Sequence, residues 1–372
     1  MTKISIRILE SSVLTTRWEE YYCIEELYNV FDIEYWDCSL ITSPSFRPLT
    51  EISRKYVTKI GTTDELFRKL KDTPKDALLI VNIHRNPNNY RVHRIVAKFF
   101  KNIIYIKFFA DNSCETNINP IKKFIYKFYP PHTREIIYWK LYNKLYNVID
   151  FGCTSDCNNY RINHPDFESY LKVLKSAPRL MNGKSYIVYL DNYFPFHPEI
   201  IKREWNFNPK SIAKDFYSSI NKFFDFIEKK YHCEVIIAAH PSSIYKTNPF
   251  NNRSILYNKT NILVYNAKGV VMHTSNSLSY VYLNRIPVAL ITNQAYQKAK
   301  GEYRRLKKLS LINNFKIINT DLYDTDQDIF TNISEEARDK YINYLTDRLN
   351  MSNAERFLKY YKDVYKKNAC KK

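Results

Sequence analysis

The sequence predicts an α/β protein built on mostly parallel sheets, and three observations lead there. Short β-type runs alternate with longer stretches whose apolar residues recur at helical spacing. Ala77–Ile83 is a continuous apolar run, as a central strand covered on both faces requires. The alternation also restarts near Ser185, so it is completed twice within 372 residues. At roughly 150 residues per domain, that length gives each half room for its own core.

In chain order, Lys3–Leu9 reads as a strand, Arg17–Val30 as a helix and Asp32–Ser39 as a second strand. Ala77–Ile83 follows, then a helix over Tyr90–Phe100, a buried strand over Asn102–Phe108 and a further one over Tyr146–Phe151. The second set opens with Ser185–Leu190. Pro209–His232 has Ile212, Phe216, Ile220, Phe223, Phe224 and Ile227 on one helical face. Cys233–Ala239 is a buried strand. Ile262–Ala267 leads into the strand Gly269–Met272, a helix spans Ser277–Leu283, and Val288–Ile291 is the next strand. Ser334–Lys367 is helical to the end. The expectation is two Rossmann-like domains facing a cleft, residues 1–178 and 179–372, closed by a C-terminal helical segment. This is the GT-B layout.

Composition narrows the chemistry. With 57 Lys+Arg against 38 Asp+Glu the net charge is +19, which asks for an anionic partner: nucleic acid, a membrane face or a phosphorylated substrate. Part of the excess follows from a Lys-, Asn-, Ile- and Tyr-rich composition of the kind an AT-rich genome produces. Only 5 glycines occur, where average usage would give about 26. Neither G-x-G-x-x-G nor G-x-x-x-x-G-K-[ST] is present, which disfavours dinucleotide-binding enzymes and P-loop NTPases. No stretch approaches the ~18 apolar residues of a spanning helix, and the N-terminus lacks a signal-peptide core. The expected location is therefore cytoplasmic. Seven scattered cysteines suit a reducing compartment, and Cys153 and Cys157 read as ordinary thiols.

Ligands of open α/β sheets bind at the carboxyl ends of the strands, and three successive strand ends of the second half carry polar runs. These are Asp191-Asn-Tyr-Phe-Pro-Phe-His197-Pro-Glu199, then His240-Pro241-Ser242-Ser243, then His273-Thr274-Ser275-Asn276-Ser277. Hydroxyls and backbone N–H groups at such ends favour an anion, so a nucleotide phosphate is the expected occupant. An imidazole at His240 can donate to a phosphate oxygen or protonate a leaving phosphate. Taken singly, His240-Pro241 is a strand-stopping turn and Ser275 and Ser277 are helix caps. Their recurrence at neighbouring strand ends favours a binding site at His240, Pro241, Ser242, His273, Ser275, Asn276 and Ser277.

Leu190-Asp191-x-x-Phe194-Pro195-x-His197-Pro198-Glu199, Val235-Ile-Ile-Ala-Ala-His240-Pro241 and His273-x-Ser275-x-Ser277 resemble the nucleotide-binding half of bacterial surface-polysaccharide (capsule and lipopolysaccharide) glycosyltransferases. The paired HP and Ser/Thr motifs are similar to those of sialyl-, polysialyl- and Kdo-transferases. The resemblance implies a CMP-activated sugar as donor and a surface polysaccharide or lipid-linked glycan as acceptor. It covers about 110 residues, and the first half shows no matching acceptor motif. A polymer glycerophosphotransferase shares the same HP logic.

An inverting transfer needs a carboxylate base. Asp191 is the first candidate, followed by Glu199 and Asp111; Asp191 is equally suited to capping its own turn. Arg253, Lys259 or Thr260 could neutralise diphosphate charge. The GT-B layout commonly works without metal, so no metal and no cofactor are expected. The stretch Ile121–Tyr146 interleaves Lys and Arg with Phe, Tyr and Trp, and Lys298, Lys300, Arg304, Arg305, Lys307 and Lys308 form a second basic cluster. Both suit peripheral docking on an anionic inner-membrane surface; buried aromatics with solvated lysines suit them equally. A single-stranded nucleic-acid binder is the alternative from another class. No recognisable nucleic-acid module supports it, so no nucleic-acid partner is expected. A catalytically silent scaffold of the same fold is a third reading.

Overall fold

The computed structural model describes residues 3–42, 51–108, 130–153, 159–176, 184–204, 207–347 and 351–369, with the backbone alone at 130–136, 139, 199, 202 and 203. The chain divides into two compact units. The first takes in the described residues up to Pro165 together with those from Tyr344 onward; the second spans Asp166–Asn343.

The first unit is a seven-stranded parallel sheet. Its strands are β1 (Ser5–Glu10), β2 (Asp32–Asp37), β3 (Val57–Lys59), β4 (Leu78–Asn82), β5 (Asn102–Lys107), β6 (Asn147–Gly152) and β7 (Tyr160–Arg161), in the order β3-β2-β1-β4-β5-β6-β7. Because side chains alternate across a strand, Ile6, Ile8, Leu78 and Ile80 face one core while Leu9, Leu79 and Val81 face another. The first face is covered by Ile24 and Leu27 and by Phe357, Tyr361 and Val364 of the helix Asn353–Ala369. The second is covered by Leu66 and Leu70 of Thr63–Asp72 and by Val92 and Val96 of Tyr90–Phe99.

The second unit is a six-stranded parallel sheet of β8 (Tyr186–Leu190), β9 (Glu234–Ala238), β10 (Ile255–Leu256), β11 (Gly269–Met272), β12 (Val288–Thr292) and β13 (Ile317–Asn319), ordered β10-β9-β8-β11-β12-β13. β8, β11 and β12 are buried at every position, as centrally placed parallel strands are. The helix Pro209–Tyr231 starts where Asn208 accepts from the Lys210 N–H and Pro209 fixes the first turn. It buries the six apolar residues expected from their spacing.

Two parallel Rossmann-like sheets are therefore the architecture, as the alternation predicts. Several details differ. The helix Asn353–Ala369 belongs to the first unit rather than closing the second, and the division falls at Pro165/Asp166 rather than near 178. The reason is apolar complementarity: Phe357 and Tyr361 stack on Phe151. The C-terminal helical stretch is two helices, Glu335–Leu345 and Asn353–Ala369. Residues 262–265, read as leading into a strand, lie in the helix Thr260–Tyr265. The helix expected over Arg17–Val30 is interrupted at Cys23, whose φ of 49° is left-handed.

Cys23 exemplifies a wider consequence of glycine scarcity. Eight described non-glycine residues have positive φ, four of them asparagines: Asn251, Asn252, Asn258 and Asn314. Asparagine tolerates this conformation best among residues with a Cβ. The turns that glycine usually makes are here made by asparagine and, as at Tyr193 and His232, by bulkier residues.

Among the described residues no helix is long and apolar enough to cross a membrane. Of the basic aromatic stretch, residues 121–129 lie outside the described residues, as do Asp111 and Cys157, and Pro130–Leu145 is helical.

Candidate functional site

Each sheet reverses its strand order once, beside β1 and β4 in the first unit and beside β8 and β11 in the second. Connections on the two sides of such a point run to opposite faces of the sheet and leave a crevice at the strands' carboxyl ends. In the second unit Leu190 is in register with both Ala238 and Met272. β9, β8 and β11 thus end at one level, and the three polar runs follow directly. The sequence-predicted juxtaposition of Asp191, His240 and His273 is a property of this sheet.

Asp191 organises the turn after β8. Its Oδ1 accepts from the Tyr193 N–H at 2.8 Å, and its Oδ2 accepts from the Tyr245 hydroxyl at 2.7 Å and the His240 N–H at 3.3 Å. Burial pushes its pKa up to about 6 against the lowering effect of these donors. This geometry shows the turn-capping role of Asp191. Its carboxylate, accepting from three donors in its own unit, ties the β8 turn to the start of the β9 loop. The side chain of Glu199 lies outside the described residues, and its backbone is in the helix Pro198–Arg203.

His240 is partly exposed, and its Nδ1 accepts from the Ser242 N–H at 3.2 Å. A neutral ring with Nδ1 as acceptor carries its proton on Nε2, which makes that nitrogen a donor. The His197 ring packs edge-on against it, with centroids 4.8 Å apart. Ser243, by its hydroxyl and its N–H, donates to the His240 carbonyl, and Pro241 and Ser242 are exposed beside it.

His273 is at the expected strand end, yet its ring is turned into the core. It has no exposure, lies 4.3 Å from the Tyr296 ring and 5.4 Å from Phe216, and pairs through Nδ1 with the Tyr189 hydroxyl at 3.1 Å. Burial alone holds its pKa down at about 3, so the ring stays neutral and is no phosphate cation. Ser275 accepts from the Ser277 N–H at 3.1 Å, and Asn276 is exposed; the helix that follows has only seven residues.

Arg253 departs from the expectation. Its Nε donates to Glu228 at 3.0 Å, Nη2 to Glu228 at 2.7 Å and to Asp225, and Nη1 to Asn221 at 3.3 Å. Its face lies over Phe224. With its donors engaged by these neighbours, Arg253 fastens the β9–β10 connection to the Pro209–Tyr231 helix instead of meeting a nucleotide.

The structure adds residues that the motif reading passed over. Asn192 Nδ2, His273 Nε2, Thr292 Oγ1 and Asn293 Nδ2 are all buried without a hydrogen-bond partner. They sit at the carboxyl ends of β8, β11 and β12, three strands adjacent in the sheet. Leaving a buried polar group unpaired costs about 1–3 kcal/mol, so a cluster of them marks a place built for polar company. The run Ile291-Thr292-Asn293 has the same strand-end signature as the three motifs and could have been found by it.

At the first unit's reversal, Glu10 closes β1. Its carboxyl accepts from the Tyr22 hydroxyl at 2.6 Å and the Ser11 N–H at 2.8 Å. Burial lifts its pKa to about 7, and neighbouring Asp37 adds to the rise. Among the described residues no group of His, Cys, Asp and Glu is placed to hold a metal ion.

No protein-family model matches the sequence, and no curated protein matches it. Solved structures align along nearly the whole chain at low identity. The spinosyn forosaminyltransferase SpnP is 9% identical over 98% of this chain and 100% of its own, with a TM-score of 0.47. The glycosyltransferase SnogD from Streptomyces nogalater is 8% identical over 93% and 96%, with a TM-score of 0.46. The UDP-GlcNAc 2-epimerase of Methanocaldococcus jannaschii is 13% identical over 92% and 99%, with a TM-score of 0.40.

Proposed function

We propose that the chain is a glycosyltransferase whose second unit binds a nucleotide-activated sugar at the carboxyl ends of β8, β9, β11 and β12. The observation that carries this reading is the cluster of buried, unpartnered polar groups at the reversal point: Asn192, His273, Thr292 and Asn293. They suit the hydrogen-bonding edge of a nucleoside. The Nε2 of His240 suits a phosphate oxygen of the same ligand, where a donor stabilises the charge left as the glycosidic bond breaks. Asp191 positions that loop, and Ser242, Ser275 and Ser277 add hydroxyls around it.

In this reading the donor is a CMP-sugar, as the HP and Ser/Thr motifs imply, and the transfer is inverting and needs no metal. The acceptor is a surface polysaccharide or lipid-linked glycan presented at an anionic membrane. Support for the last point comes from Lys298, Lys300, Arg304, Lys307 and Lys308, which are all exposed on or beside the helix Lys300–Asn313.

A thermal-shift panel of CMP, CDP, UDP and GDP tests the donor site. One base class should stabilise the protein, by about 2.7 kcal/mol at 100 times its dissociation constant. His240→Ala should weaken that binding without lowering the melting temperature of the unliganded protein by more than a few degrees. Failure of all four nucleotides to bind would overturn the reading.

A further inference from the structure

We propose that the first unit carries an oxyanion site in which Arg85 grips a carboxylate or phosphate side-on. Arg85 is the third residue beyond β4, one of the two strands at that sheet's reversal point, where an open parallel sheet takes its ligand. Its Nε and Nη2 are both buried and have no hydrogen-bond partner. These two nitrogens form one edge of the guanidinium, with their N–H bonds nearly parallel. That edge matches two oxygens of a carboxylate or phosphate.

The surroundings hold the fork in place. The guanidinium carbon lies 4.6 Å from the centroid of the half-buried Tyr105 ring on β5. The hydroxyl of Tyr142 donates to the carbonyl of Asn86, the residue after Arg85, at 2.6 Å. The Tyr142 ring packs 4.7 Å from His93, whose imidazole burial and the nearby Arg85 charge keep neutral. Two guanidinium donors buried without an acceptor are costly, and an anion that supplies two acceptors relieves that cost. Neither nitrogen touches solvent in the unliganded fold, so a neighbouring side chain must turn aside as the anion arrives.

The inference rests on the glycosyltransferase reading only in naming the ligand: it is then the acceptor, a sugar bearing a carboxylate or a phosphate. Calorimetric titration of the full chain with glucose, glucuronate and glucose 6-phosphate tests it. At least one charged sugar should bind ten or more times more tightly than glucose, and which one does so identifies the anion. Arg85→Gln and Arg85→Lys should both reduce that affinity to the level of glucose, since lysine keeps the charge but lacks the two-nitrogen edge. The Arg85 Nε–H resonance of the unsubstituted protein should move on binding, a readout independent of how the variants fold. Equal binding of charged and neutral sugars, or undiminished binding by both variants, would sink the proposal. CMP titrated in parallel separates the two readings: loss of nucleotide binding with oxyanion binding intact defeats the donor site alone, and the reverse defeats this site alone.

Discussion

The hydroxyl of Tyr245 donates a 2.7 Å hydrogen bond to Oδ2 of Asp191, the same oxygen that accepts the His240 N–H. One carboxylate oxygen thus joins the loops after β8 and β9. Tyr245→Phe should cost about 1.5–3 kcal/mol at pH 8, the range for a hydrogen bond to a charged group. The cost should shrink at pH 5, below the value near 6 to which burial lifts Asp191. Urea unfolding of both proteins at the two pH values checks this.

His273 gives the protein a sensitivity to acid. Its pKa is about 3 when folded and near 6.5 when unfolded, so the unfolded chain takes up the proton first. Stability from this group is complete above pH 6.5 and declines as pH falls toward 3. Between pH 7 and 5 the loss is about 2 kcal/mol at 1.36 kcal/mol per pH unit below the unfolded value. His273→Phe, placed among Tyr189, Phe216 and Tyr296, should remove that share of the pH dependence, measurable as a smaller shift in the urea midpoint.

Arg253 should matter for stability and not for ligand. Arg253→Ala leaves Glu228 half-buried beside Asn221 without its cation, at a cost of about 2–3 kcal/mol, below the range for fully buried pairs because Asp225 and Glu228 retain solvent. Nucleotide affinity in the thermal-shift panel should stay within twofold of the unsubstituted protein.

The exposed cations of the Lys300–Asn313 helix predict salt-sensitive association with anionic vesicles. Replacing Arg304, Lys307 and Lys308 by glutamine should lower co-sedimentation with phosphatidylserine vesicles at least fivefold at 0.1 M salt. Each removed cation near the surface is worth about 1 kcal/mol. Co-sedimentation equal for neutral and anionic vesicles would refute membrane docking.

The parts of this protein that were legible in its sequence are those where one strand or helix declares itself. Val235–Ala238 and Val270–Met272 are unbroken apolar runs, and the Pro209–Tyr231 helix carries its buried face at regular spacing. Strand ends were legible because polar residues interrupt such runs abruptly, and this placed Asp191, His240 and His273 after three neighbouring strands. Side-chain direction was not. Arg253 looks like a ligand donor and His273 like a phosphate cation in a string of letters, and only packing reveals that the first faces Glu228 and the second is a buried, neutral ring beside Tyr296. The two-residue strands Tyr160–Arg161 and Ile255–Leu256 are too short to show a period. The destination of the last helix depends on Phe151, some two hundred residues earlier, and no local pattern encodes that.

That long-range partnership has a consequence for biosynthesis. The first unit needs Phe357, Tyr361 and Val364 to complete one face of its sheet, and these leave the ribosome only after Asp166–Asn343 has been made. The described residues of the second unit run without interruption from Asp166 to Asn343, so they can finish folding while the first unit waits with Phe31 and Phe151 uncovered. A nascent chain halted shortly before Asn353 should therefore be protease-resistant in its later half and chaperone-dependent in its earlier one.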